Sequence, residues 1–291
     1  MLVTLKNDQL EVTINSLGAE LTKIYKPQTK IDYLWHGDAK YWGRHAPVLF
    51  PFVGRLKDDT YYYEKQSFHQ SQHGFARDQE FELLVQSDTK ASFLLESSAK
   101  TLAVYPFEFK LVITYELKAD QVLVSYQVEN PGQKDLLFAL GAHPAFNIPL
   151  VAGDTFENSN LKVSPAKVYP QIKLRGPYSD PENKEKLELT EPLALDHELF
   201  AEDALILDLQ GQEATLSLEG PSGHGVAVTL TQTPFVGVWS PYPKQAPFVC
   251  VEPWWGLADT VTSDQDLKHK FAINTLASGQ MWQQSYAMSF Y

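Results

Sequence analysis

The chain has 291 residues, is 44% hydrophobic and carries a formal charge of −12. That is enough apolar content for a large core and the wrong sign for nucleic acid or an anionic membrane surface, both of which call for clustered Lys and Arg. A single cysteine, Cys250, excludes an internal disulfide, and the N-terminal MLVTLKNDQLEVTI has no charged segment leading into an apolar block, so a cytoplasmic protein with no membrane partner is expected.

From the N-terminus onward the dominant pattern is alternation with period two. LEVTINSLG (10–18) and ASFLLESS (91–98) read as short strands. In FEFKLVITYEL, Phe107, Phe109, Leu111, Ile113 and Tyr115 share one face, and after KADQ the pattern repeats in Val122, Val124, Tyr126 and Val128. This predicts a hairpin with a four-residue connection. LFALGAHPAFNIP (137–149) starts as a buried strand, then breaks at small residues that set His143 in front of Pro144. Residues 158–198 hold prolines at 165, 170, 177, 181 and 192 with little alternation, which predicts an irregular excursion over a sheet. Strands resume in ALILDL, ATLSLEG, GVAVTLTQ, FVGVWS and FVCVEP. In the last of these, parity puts Phe248, Cys250 and Glu252 on one face and Val249 and Val251 on the other. No stretch sustains a helical period. Short strands punctuated by Gly, Pro and Asn predict an all-β fold, a sandwich or barrel, as one domain over residues 1–291.

The eight histidines form no H-x-H pair, the single H-x-x-x-H spacing (His69 and His73) falls on no helical pattern that would put both rings on one face, and one cysteine cannot build a thiolate zinc site, so no metal is proposed by spacing. G-x-S-x-G, Walker and G-x-G-x-x-G motifs are absent, which leaves hydrolase-triad and nucleotide readings unsupported. Three clusters stand out: QHGFARD, with His73 and Arg77 around Gly74; GAHPAFN, with His143; and FVCVEPWWG, where Glu252 closes an apolar strand. A carboxylate buried in a cleft has a raised pKa and becomes a base usable near neutral pH. Trp254 and Trp255 follow, and indole rings suit the apolar faces of a sugar. Singly, each feature reads more simply as structure: a core histidine, a solvent-edge acid, packed aromatics, an Arg77–Asp78 surface pair. As a set they form a metal-free acid/base constellation.

QHGFAR, HPAFN and VEPWWG, in this order, resemble the aldose 1-epimerase (galactose mutarotase-like) superfamily, closest in look to its bacterial galactose mutarotase-related branch of lactose-operon type. GRHAPVLFPFVGRL (43–56) and YPFEFKL (105–111) are similar to the same branch, and hexose-6-phosphate 1-epimerases share H-G-F-A-R. The resemblance implies a large antiparallel β-sandwich, the supersandwich, with a sugar cleft on one sheet. It implies no metal and no organic cofactor, a small-molecule sugar or sugar phosphate as partner, and a monomer or homodimer. By position it implies Glu252 as general base, His143 as general acid at the ring oxygen and His73 as the second histidine. Asp196 is the best match to a substrate-binding aspartate, with Asp203 the alternative. Arg55 resembles the arginine of the true galactose mutarotases, Arg44 and Arg77 those of the hexose-phosphate branch, and Trp254 is the expected sugar platform. Two other readings stand beside this one. A catalytically silent sugar-binding protein would share the fold. A glycoside hydrolase would need two facing carboxylates, where the sequence offers one well-placed acid, Glu252.

Overall fold

Alternating apolar positions become strand faces throughout the computed structural model, which describes residues 1–291. Nine strands form one antiparallel sheet with Met281–Phe290, Gln121–Glu129 and Lys110–Lys118 near its middle. A second, eight-stranded sheet is centred on Phe235–Trp239 and Phe248–Trp255, and a four-stranded sheet occupies the N-terminus. The expected large antiparallel β-sandwich is therefore the fold. No helix is long and apolar enough to cross a membrane.

The core forms where the two large sheets face each other. Along Lys110–Lys118 every second residue is buried, and the same holds along its partner Gln121–Glu129. The register pairs Leu111 with Val128, Ile113 with Tyr126, Tyr115 with Val124 and Leu117 with Val122. Apolar side chains thus meet directly across the ladder, and a one-residue slip would turn the whole set to solvent. The same core cluster takes in Val236, Val238, Val249, Val251 and Trp255 from the inner face of the eight-stranded sheet.

Two expectations are corrected. Lys118 pairs with Gln121, so the hairpin connection is two residues, Ala119 and Asp120, rather than four. The outer residues of KADQ stay in the ladder because Ala119 takes a left-handed φ of 52° and tightens the turn; its carbonyl accepts a hydrogen bond from Asn7 Nδ2 at 2.9 Å. Residues 158–198 are largely regular β structure: Asn160–Ser164 joins the nine-stranded sheet, and Lys167–Arg175 with Tyr178–Leu189 form one margin of the other. Pro165, Pro177 and Pro192 fall between strands, and the other two sit where pairing is one-sided or interrupted. Pro181 falls in residues 181–184, which bulge between the Lys173–Asp180 and Gln171–Glu185 pairs, and Pro170 lies where its strand has a partner on one side alone.

Candidate active site

Parity along Phe248–Trp255 is as expected, yet every residue of this strand is buried. Val249, Val251 and Trp255 enter the main core, while Cys250 and Trp254 belong to two small apolar clusters on the opposite face. Glu252 stands on that opposite face, 1% exposed, at the floor of a cleft of about 570 Å³. A volume of this size is ordinary for a small-molecule site.

Trp254 lies in a slot made by missing side chains. Its strand neighbours are Gly141 on one side and Phe235–Gly237 on the other. A Cβ added at Gly237 would come within 2.6 Å of the indole, and one at Gly141 within 2.8 Å. The ring lines the cleft, and its Nε1 is close enough to the Glu252 carboxyl to oppose that group's rise in pKa while making no well-aligned hydrogen bond. Trp255, by contrast, packs on Tyr126 and Trp282 inside the sandwich and offers no sugar platform.

His143 owes its place to a break in the ladder. Gly141 pairs with Trp254 and Ala145 with Cys250, so the register on either side sets His143 opposite Glu252. Pro144 keeps contact with the strand through its carbonyl, which accepts from Val251 N at 3.3 Å. Nε2 of His143 lies 3.2 Å from Oε2 of Glu252, but the two are not aligned as a hydrogen bond, and Oε2 and the His143 Nδ1 have no partner. Burial pushes the Glu252 carboxyl well above the usual carboxylate range, with the Asp203 charge adding to it. Burial pushes His143 down to about 3, helped by the Arg77 charge. The two affinities move toward and past each other, so over a broad pH range the pair holds one proton. An ion pair and a neutral acid–imidazole pair are the two placements of that proton, and burial favours the neutral one.

His73 projects from a sharp turn in which both His73 and Gly74 have φ of 69°. A side chain at Gly74 would strike the Phe50 carbonyl, so only glycine fits there. Gly54 N donates to His73 Nδ1 at 3.1 Å, and His73 N donates back to Gly54 O at 2.9 Å. Nδ1 is therefore the acceptor and the ring proton sits on Nε2. Burial, then the positive fields of His143, Arg77 and Arg55, hold His73 well below its ordinary pKa. It is a neutral hydrogen-bond donor, perpendicular to His143 at 5.6 Å between ring centroids.

The remaining expected residues divide. Arg55 and Arg77 line the cleft. Arg55 is held by Asp59 at 3.4 Å; Arg77 donates to Gln72 O at 2.7 Å, and its buried Nε faces Asp78 Oδ2 at 3.7 Å without a hydrogen bond. Arg44 does not line the cleft: it bonds Asp78 at 2.6 Å, beside the 3.7 Å Arg77–Asp78 contact. Asp196 stands outside the cleft, exposed, capping the short helix His197–Phe200 by accepting from Glu198 N. Its motif is a capping motif, which explains the misplacement. Asp203, the alternative, does line the cleft, held by a φ of 74° and a bond from Ala204 N.

Sequence reasoning missed Trp42 and Trp239. Trp42 stacks on His143 (4.7 Å, 27°) and Trp239 stands perpendicular to it (5.6 Å, 86°). Trp42 directly precedes GRHAP, and Trp239, next to last in FVGVWS, stands opposite Cys250, so adjacency to a motif was the available signal. His143, Cys250 and Glu252 place donor atoms within 4.8 Å of one another, a proximity hidden from sequence spacing. Burial raises the Cys250 thiol well above its usual range, so it presents S–H rather than the thiolate a metal takes.

The chain matches the aldose 1-epimerase family over residues 1–289. It is 34% identical over 288 residues to Protein LacX, plasmid, and to the chromosomal LacX of Lactococcus lactis subsp. lactis, covering 93% of each chain. Its structure is similar to that of a galactose mutarotase related enzyme from Lactobacillus acidophilus (TM-score 0.98, 36% identity, 100% of this chain and 97% of that one). It is also similar to a galactose mutarotase-like protein from Lactobacillus casei ATCC 334 (TM-score 0.91, 33% identity, 100% of both chains). The chain belongs to the aldose 1-epimerase family, within the galactose mutarotase-related branch that its motifs resemble. Membership supports an isomerase acting on a sugar.

Proposed function

We propose that the protein is a cofactor-independent aldose 1-epimerase that interconverts the α and β anomers of a hexose or hexose phosphate. The observation that carries this reading is the buried Glu252–His143 pair at the floor of the cleft, with Nε2 and Oε2 3.2 Å apart yet not aligned as a hydrogen bond to each other. Three of the buried polar atoms without a hydrogen bond belong to His143, Glu252 and Trp254, all lining this cleft. Native interiors leave few such atoms unpaired, and a polyhydroxylated ligand supplies partners for each.

Ring opening needs one proton removed from the anomeric hydroxyl and one delivered to the ring oxygen. With the shared proton on His143, the Glu252 carboxylate accepts the O1 proton, the O1 electron pair forms the C1=O1 double bond, and the C1–O5 bond breaks as O5 takes the proton of His143. This converts the pair from its charged to its neutral form. After rotation about C1–C2 the flow reverses: O5 returns its proton to His143, O5 attacks the other face of C1, and Glu252 reprotonates O1. His73 donates through Nε2–H to the sugar, Asp203 accepts from a sugar hydroxyl, and the indole of Trp254 underlies the ring. Arg55 and Arg77 bind an anionic substituent or hydroxyls. The unit is the whole chain, residues 1–291, with a small sugar as its partner.

Saturation-transfer NMR on galactose, glucose and their 6-phosphates, with Glu252→Gln alongside, tests this. Enzyme-dependent anomer exchange that the substitution abolishes is the expected result, and preference for the phosphates makes Arg55 and Arg77 a phosphate clamp. Binding without exchange across the panel replaces it with the silent sugar-binding reading. Release of reducing ends from glycosides would recast Asp203 and Glu252 as a hydrolase pair.

A further inference from the structure

His143 sits in a setting hostile to the charge its role requires. Cys250, from the same strand as Glu252, is a protonated thiol; His73, from the turn at Gly74, is neutral; Arg77 opposes a positive ring; Asp203 acts on Glu252 rather than on the imidazole. Among these titratable and charged neighbours only Glu252 favours the imidazolium, and a sugar engaged by both groups stands between them. What stays in contact is Trp42, whose indole lies nearly parallel to the imidazole.

We propose that Trp42 is the positioning residue of the acid: its π face, stacked on His143, holds the ring in place and supports it in the protonated form. Indole is the strongest of the aromatic faces toward a cation, and the effect grows when the pair is out of water. The contact is built rather than incidental. Trp42 N and Tyr41 N both donate to Asp38 O at 3.0 Å, the Trp42 carbonyl accepts from Trp35 Nε1 at 2.9 Å, and Lys244 Nζ holds the Tyr41 carbonyl at 2.9 Å. Trp239 and Phe248 close the aromatic box at 5.9 and 5.8 Å from Trp42. The proposal rests on the epimerase reading for its purpose, but the stacking effect on His143 is measurable without turnover.

The test replaces tryptophan by indole-fluorinated tryptophan, which weakens the π face with little change of shape, in the wild-type chain and in Trp42→Phe. Ring-nitrogen NMR shifts of His143, assigned with His143→Gln, report the imidazolium fraction from neutral pH down to the onset of acid unfolding. The expected result is a fraction that falls on fluorination in the wild-type chain and stays put in the Trp42→Phe background. In the same order kcat falls, by about tenfold in Trp42→Leu, with KM changed less than about twofold. A wild-type ring with no imidazolium at any native pH, or equal fluorine effects in both backgrounds, overturns the proposal. Loss of anomer exchange in the wild-type chain itself would overturn the epimerase reading instead, with the ring-nitrogen result still deciding the role of Trp42.

Discussion

The two large sheets spend their outer faces differently. In the hairpin Lys110–Lys118 and Gln121–Glu129 one face is core and the other is half-exposed and mostly polar, with Val112 and Leu123 among Lys, Thr, Ser, Gln and Glu. In Phe248–Trp255 both faces are buried, because loops carrying Trp35, Trp42, Val53 and Leu257 cover the outside of the eight-stranded sheet. A sheet with one wet face has no place on that face to hold an ionisable pair out of water. A sheet with two dry faces has somewhere to place an acid and an imidazole out of water, and that is where Glu252 and His143 are found.

The contrast breaks most sharply at Glu252. Glu252→Gln is expected to cost about 10²- to 10⁴-fold in anomer exchange, the usual worth of general acid–base catalysis, while the unfolding midpoint holds or rises because a buried ionisable group is gone. Leu111→Ala, on the inner face of the wet sheet, should do the reverse: about 2–5 kcal/mol lost in denaturant unfolding, with turnover per folded molecule unchanged. Gly237→Ala lies between them. Its new methyl meets the Trp254 ring, so about 1–3 kcal/mol of stability and part of the activity should go together.

The pH dependence sharpens the same point with two opposite slopes. His143 folds with its affinity lowered from 6.5 to about 3, so its contribution to stability is present above pH 6.5 and is lost as pH falls toward 3. Glu252 folds with its affinity raised, so its contribution is complete below 4.5 and is lost as pH rises through the folded value. Urea midpoints against pH should therefore lose the acid-side slope in His143→Gln and the alkaline-side slope in Glu252→Gln. The smallest effect belongs to the outer face of the hairpin, where Val112→Thr should stay within about 0.5 kcal/mol and leave exchange untouched.

Legibility followed the same division. The wet sheet could be read from alternation alone, because one buried face imposes period two on the sequence, and Lys110–Glu129 shows it residue by residue. Parity also predicted the split of Phe248–Trp255, although a strand buried on both sides does not announce which face holds the site. The edge strands between 158 and 198 were hidden because bulges and prolines erase alternation where a strand has one neighbour. Asp196 and Arg44 were misplaced for a related reason: a motif shows which residues are near in sequence, and a cap or a surface pair satisfies such residues as well as a cleft does. His143 opposite Glu252 could be named from resemblance, but their separation and the stacked Trp42 come from a ladder break and a distant turn that no local pattern encodes.

The single proton held between Glu252 and His143 also bears on how the cleft connects to its surroundings. In the proposed reaction each ring opening would take one proton in at O1 and give one out at O5, and each closure would undo this, so a full cycle would exchange nothing with bulk water. Such a centre requires no chain of relays to the surface. Its rate is therefore expected to be indifferent to buffer concentration, and the aromatic walls of Trp42, Trp239 and Trp254 could exclude solvent without starving the proposed chemistry.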